Sequence, residues 1–156
     1  MLPYSSIYLG AGKPAIVAAS RFNTPGIGYE QDNPIVVPDW EHGETLAIAL
    51  RSSLQRFCFQ ERNLRDAKTT DWPSFVASRL RSVADFDRTY CRIHVQAFNA
   101  AQVSWDAYAV PAGESEISLH VTLNLASGSD EQTGQKLVRL FRACSVWYGQ
   151  MEDHIS

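Results

Sequence analysis

Arg92-Ile93-His94-Val95-Gln96-Ala97, Val103-Ser104-Trp105-Asp106-Ala107-Tyr108-Ala109 and Ile117-Ser118-Leu119-His120-Val121-Thr122-Leu123-Asn124-Leu125 alternate apolar and polar residues, and all three runs place the apolar side chains at odd positions. Successive side chains of a strand point to opposite faces, so a period of two means one buried face and one wet face. Asn99-Ala100-Ala101 suits a short hairpin loop, and Pro111-Ala112-Gly113-Glu114-Ser115-Glu116 a longer one. The stretch therefore reads as a three-stranded antiparallel meander. With turns centred on Ala100 and Gly113, His94 lies opposite Asp106, and Asp106 lies opposite His120.

The rest of the chain is read outward from this meander. Ser6-Ile7-Tyr8-Leu9 and Ala15-Ile16-Val17-Ala18-Ala19 flank a Gly10–Pro14 turn signal, which predicts a hairpin over 6–22. Residues 23–43 are loop-rich, with Ile35-Val36-Val37 as a short edge strand. Leu46, Leu50, Leu54, Phe57 and Cys58 share one helical face, predicting a helix from Gly43 to about Phe59. A second helix is expected from Asp71 to Asp87, capped by Asp71, with Pro73 in its first turn. Ser129 followed by Gln132 is a capping-box pattern that opens a final helix ending near Tyr148. Gly134 weakens its first turns slightly, and 150–156 reads as a tail. Segregated strands and helices favour an α+β fold: one domain over 1–156, an antiparallel sheet made of the meander and the N-terminal hairpin, and helices packed on one face.

Composition narrows the function. The net charge is −3, with 45% hydrophobic and 20% charged residues, ordinary for a globular domain. The sequence runs acid–base–acid: two basic and five acidic side chains in 1–50, nine and five in 51–92, three and seven in 93–156. That balance argues against nucleic acid as a partner. Arg51, Arg56, Arg62, Arg65 and Lys68 make a basic stripe, diluted by Glu61 and Asp66. Cys58, Cys91 and Cys144 are odd in number and not spaced for zinc, which points to reduced thiols in the cytoplasm. The first residues lack a signal-peptide pattern, and no apolar run is long enough to span a membrane. No cofactor and no metal ion are expected.

The polar face of the meander holds the constellation closest to chemistry. A carboxylate between two imidazoles suits general-base work or a metal site. Such chemistry also needs a cleft, which an open sheet face does not supply. No catalytic residue is therefore assigned; His94, Asp106, Tyr108 and His120 are read as an outward recognition face. Gly10-Ala11-Gly12-Lys13 lacks the spacing of a phosphate loop, and Pro14 follows it, so it reads as a tight turn. Phe57, Phe59, Trp72, Phe75, Trp105, Phe141 and Trp147 are placed mostly in the core. Tyr29, Glu30, Asp32, Asp39, Trp40 and Glu41 combine aromatic rings and acids in loop-rich sequence, a composition suited to a basic protein partner.

The meander Arg92 to Leu125, its closing helix Ser129 to Tyr148 and the acidic–aromatic loop Tyr29 to Glu44 together resemble, in layout, the small bacterial immunity proteins of contact-dependent or polymorphic toxin systems. The resemblance is one of element order and carries no motif. It implies a stoichiometric complex with a cognate toxin domain, blocking its active site or the approach of its substrate. Two other readings stand beside it: a small hydrolase or nuclease-like enzyme using His94, Asp106 and His120, and a structural or assembly subunit.

Overall fold

The structure, a computed structural model, describes residues 2–61, 72–98, 104–111, 121–126 and 128–155. In chain order these form β1 (Tyr4–Leu9), β2 (Ala15–Phe22), β3 (Gly28–Glu30), β4 (Ile35–Val37), a 3₁₀ turn (Trp40–His42), α1 (Glu44–Gln55), β5 (Cys58–Phe59), α2 (Pro73–Ser78), α3 (Val83–Thr89), β6 (Cys91–Ala97), β7 (Ser104–Val110), β8 (Val121–Ala126) and α4 (Asp130–Ile155). The strands join in the order β3-β2-β1-β6-β7-β8, with β4 and β5 also pairing with β2. All these pairings are antiparallel except that of β5 with β2. The α+β class read from the sequence is the observed one.

The odd-position parity of the meander continues across the sheet. Ile7, Val17, Ile93, Val95, Ala107 and Leu125 share a core with Leu46, Leu50 and Leu54 of α1 and Leu137, Val138 and Leu140 of α4. Each fully buried leucine contributes about 1.5–3 kcal/mol relative to exposure, so this layer of α1 and α4 anchors the sheet. The short helices α2 and α3 lie across part of the opposite face. There Phe86, Phe75, Trp72 and Leu80 cluster on Tyr8 and Ile16.

Several local expectations change. The single helix expected over 71–87 is two, because Arg79 is left-handed (φ 57°) and ends α2. Ser82 then restarts the chain as a cap: its hydroxyl accepts from the Asp85 N–H at 3.1 Å and donates to the Asp85 carboxylate at 2.7 Å. Cys58 does not sit on a buried helix stripe. α1 stops at Gln55, and Cys58 and Phe59 pair in parallel with Arg21 and Phe22, leaving both exposed. The competing interactions come from outside the helix: the Gln60 N–H donates to the Phe22 carbonyl at 2.9 Å, and Gln31 Nε2 donates to the Arg56 carbonyl at 2.6 Å. In the loop-rich segment, Asn23 turns the chain by accepting from the Ile27 N–H at 2.8 Å, which lets β3 fold back on β2. The Gly10–Lys13 segment is the expected turn, closed by Lys13 N–H to Gly10 carbonyl at 3.0 Å. Ser129 caps α4 through the Gln132 N–H at 3.2 Å, and the helix runs on to Ile155 rather than ending near Tyr148.

Candidate functional site

Even positions of β1, β2, β6 and β7, with Phe57 and Phe59 beyond α1, carry a row of rings across the face that α1 and α4 leave open. Phe59 packs on Phe57 (centroids 5.6 Å apart), Phe57 on Phe22 (5.7 Å) and Phe22 on Tyr4 (6.5 Å). Tyr4 stacks on His94 at 5.3 Å, and His94 meets Tyr108 at 4.9 Å. The row thus passes from β5 over β2, β1 and β6 to β7. Its rings are half-buried at the centre, and Phe59 at one end is 63% exposed. Cross-strand neighbours of this kind stabilise the sheet. The same rings present a continuous apolar stripe flanked by the polar side chains of Gln96, Thr122 and Asn124, all exposed.

Beside the stripe lies a cleft of about 320 Å³, lined by Tyr4, Tyr8, Phe22, Glu30, Trp72, Arg92 and His94 among others. Its polar groups are held in defined ways. The Tyr8 hydroxyl donates to Glu30 Oε1 at 2.6 Å, and the Ser74 N–H donates to Glu30 Oε2 at 3.0 Å. Glu30 therefore satisfies an orphan N–H in the first turn of α2 and ties that helix to the sheet. Burial, reinforced by the neighbouring Glu30 charge, pushes the Tyr8 phenol well above its ordinary value, and burial also raises Tyr4. Tyr4 and His94 Nδ1 share a hydrogen bond, with the Ser6 hydroxyl 3.5 Å from the same nitrogen.

The row expected from the sequence is not in register. His94 lies opposite Tyr108, Asp106 opposite Gln96 on one side and Asn124 on the other. Relative to the expected pairing, the partner on β7 is displaced by two residues and the partner on β8 by four. Shifting a hairpin centre by one residue moves the partner by two, which preserves the face but separates His94 from Asp106 along the strands. His120 lies outside the described residues. Among the described residues, no group of His, Cys, Asp and Glu is placed to hold a metal ion, and no helix is long and apolar enough to cross a membrane.

The loop candidates divide. Trp40 is not an exposed anchor: it is 2% exposed, its indole N–H donates to the Lys13 carbonyl at 2.8 Å, and its ring packs edge-on against Phe141 at 5.2 Å. A loop indole next to a sheet core gains more by burial than by exposure once its N–H has an acceptor. Tyr29 stands at the end of the cleft, with Arg21 over its ring at 5.2 Å and its hydroxyl donating to the Gln60 carbonyl. Glu30 is engaged as described. Asp32 is exposed and pairs with Arg21 at 3.4 Å. Asp39 and Glu41 border a different, open cleft of about 680 Å³, which they share with Lys13 and Arg79. The basic stripe is partly consumed: Arg51 grips Asp130 at 2.6 and 3.2 Å, and Arg56 donates to the Asn33 and Asp32 carbonyls. Phe22, Tyr8 and Arg92 were not among the residues singled out from the sequence, and Phe59, expected in the core, is exposed because β5 carries it to the edge of β2. Even-position parity on β1 and β2 was the available signal for Tyr4, Tyr8 and Phe22; nothing local marked Phe59.

No family model and no curated protein sequence matches this chain. Among solved structures, the fold is similar to that of a protein of unknown function from Neisseria meningitidis, with a TM-score of 0.64 and 11% identity over 88% of this chain and 93% of that one. A likeness at that identity is a likeness of fold.

Proposed function

We propose that this chain is a protein-binding module, and specifically an immunity protein that neutralises a cognate bacterial toxin domain in the cytoplasm by stoichiometric binding. The observation that carries the reading is the aromatic stripe from Phe59 to Tyr108 on the open sheet face. Aromatic anchors on a firm scaffold, rimmed by polar groups, are the usual energetic centre of a protein interface. Sheet pairing fixes these rings before binding, so little ordering is lost on association. The net charge of −3 favours a basic partner through steering rather than through affinity.

The test is co-expression with a toxin domain encoded by a neighbouring gene. Growth should be rescued, and calorimetry on the purified pair should show one-to-one binding. The double variant Phe59→Ser, Tyr108→Ala should weaken that binding by about 30-fold or more, the size of a lost hot spot. An unrescued toxin, or a double variant that binds as tightly as the wild type, refutes the proposal.

A further inference from the structure

The half-buried arginines differ in how their guanidinium groups are used. Arg21 donates to Gln60 and Asp32, Arg51 to Asp130, and Arg56 to two carbonyls. Arg92, also half-buried, has no hydrogen-bond acceptor and no carboxylate partner among the described residues. Its guanidinium carbon stands 5.9 Å from the centre of the Tyr8 ring, and its side chain lines the aromatic cleft. A guanidinium carries five N–H donors in a fixed fork, so this one lines the cleft with its hydrogen-bonding capacity unspent among the described residues. The acid in the same cleft is differently placed: both Glu30 oxygens already accept a hydrogen bond, from Tyr8 and from the Ser74 backbone.

We propose that the cleft binds a carboxylate carried on a flat apolar body, the carboxylate on Arg92 and the body among the rings of Tyr4, Tyr8 and Trp72. The planar fork of arginine matches the two oxygens of a carboxylate. A volume of about 320 Å³ accepts a ligand the size of one aromatic acid. A phosphate fits less well, because the cleft offers one cation and the nearby Glu30 charge penalises a dianion. The site stands whether or not the stripe docks a toxin: a free aromatic acid and a partner's aspartate or glutamate beside an aromatic residue offer the same chemistry.

The experiment titrates the whole chain, labelled with ¹⁵N, with benzoate, benzamide and benzamidine, three ligands of one shape and different charge. Benzoate should shift the Trp72 indole and Arg92 Nε resonances saturably, and benzamide should bind about tenfold more weakly. In Arg92→Gln that advantage should vanish while benzamide binding and spectral dispersion persist; Arg92→Lys, which keeps the charge but loses the fork, should fall between. A blocked peptide with glutamate between two phenylalanines forms the second arm. Tighter binding of the peptide than of benzoate assigns the cleft to a protein partner; the reverse order assigns it to a free acid. Either result supports the site irrespective of toxin rescue. Preference for benzamidine, or no response to benzoate and peptide at tens of millimolar, overturns it.

Discussion

Replacing Gly134 with alanine sets helix propensity against packing. In an isolated helix the change gains about 1 kcal/mol, because glycine is the poorer helix former. In the folded chain a β-carbon at 134 would stand 1.9 Å from the carbonyl oxygen of Gly43, where real β-carbons stay beyond 3.0 Å. The two backbones must then separate by about 1.1 Å. The Gly43 oxygen has no freedom to yield, since it accepts the first hydrogen bond of α1 from the Ala47 N–H at 3.0 Å. Gly43 itself sits at φ 85°, a conformation that already demands glycine. Prying α4 from α1 opens a seam whose core includes Leu46, Leu50, Leu137 and Val138, and a gap of that size forfeits roughly a quarter to a half of each dispersion contact across it. Overpacking costs about 1–3 kcal/mol, and a clash of backbone on side chain belongs near the top of that range. After subtracting the propensity gain, the net loss is about 2 kcal/mol, a fall in Tm of about 4–8 °C for a chain of this size. Calorimetric melting measures it. Ser145→Ala is the control, at an exposed position of α4 whose hydroxyl only bonds back to the Phe141 carbonyl; it should leave Tm unchanged or slightly higher. A Gly134→Ala protein that melts at or above the wild-type temperature refutes the reasoning.

Three further outcomes are expected. The Ser82 hydroxyl, and secondarily the Arg88 guanidinium, hold the Asp85 carboxyl below its ordinary value of 3.8. Because the folded value is the lower one, this contribution is present above the unfolded pKa and disappears as pH falls through the folded pKa; Ser82→Ala should move the Asp85 titration upward by NMR and cost about 1 kcal/mol through the lost cap, and an unmoved titration counts against the assignment. Of the three cysteines, Cys58 should react with a thiol reagent in the native protein, while Cys91 and Cys144, both buried, should react only on unfolding; three equally fast thiols would contradict the packing of β6 and α4. The buried Ser74 hydroxyl has no hydrogen-bond partner among the described residues, so Ser74→Ala should be neutral or stabilising in denaturant melts, whereas a loss of about 1 kcal/mol or more would reveal a bond to that oxygen.

What the sequence by itself determined was local. Alternation of period two assigned the faces of β6, β7 and β8, because the direction of a side chain along a strand depends only on parity. The Ser129–Gln132 pair marked the start of α4, because a cap is made within one turn. The Gly10–Pro14 turn and the α+β class followed from the same short-range signals. Tertiary structure decided whatever depends on residues far apart in the chain. Register rests on how many residues each hairpin loop consumes, and periodicity is blind to an even shift; that is how His94 came to face Tyr108 rather than Asp106. The end of α1 was set by β2, which claimed Cys58 and Phe59 for its own edge. Trp40 went inward because Lys13, on another turn, had a carbonyl to offer its indole. Gly134, which looks like a small defect in a helix, is the point where two backbones meet. Parity marked the face of Tyr4, Phe22, His94 and Tyr108 one strand at a time, but their rings become one stripe only when strands spread between Tyr4 and Tyr108 are assembled into the sheet.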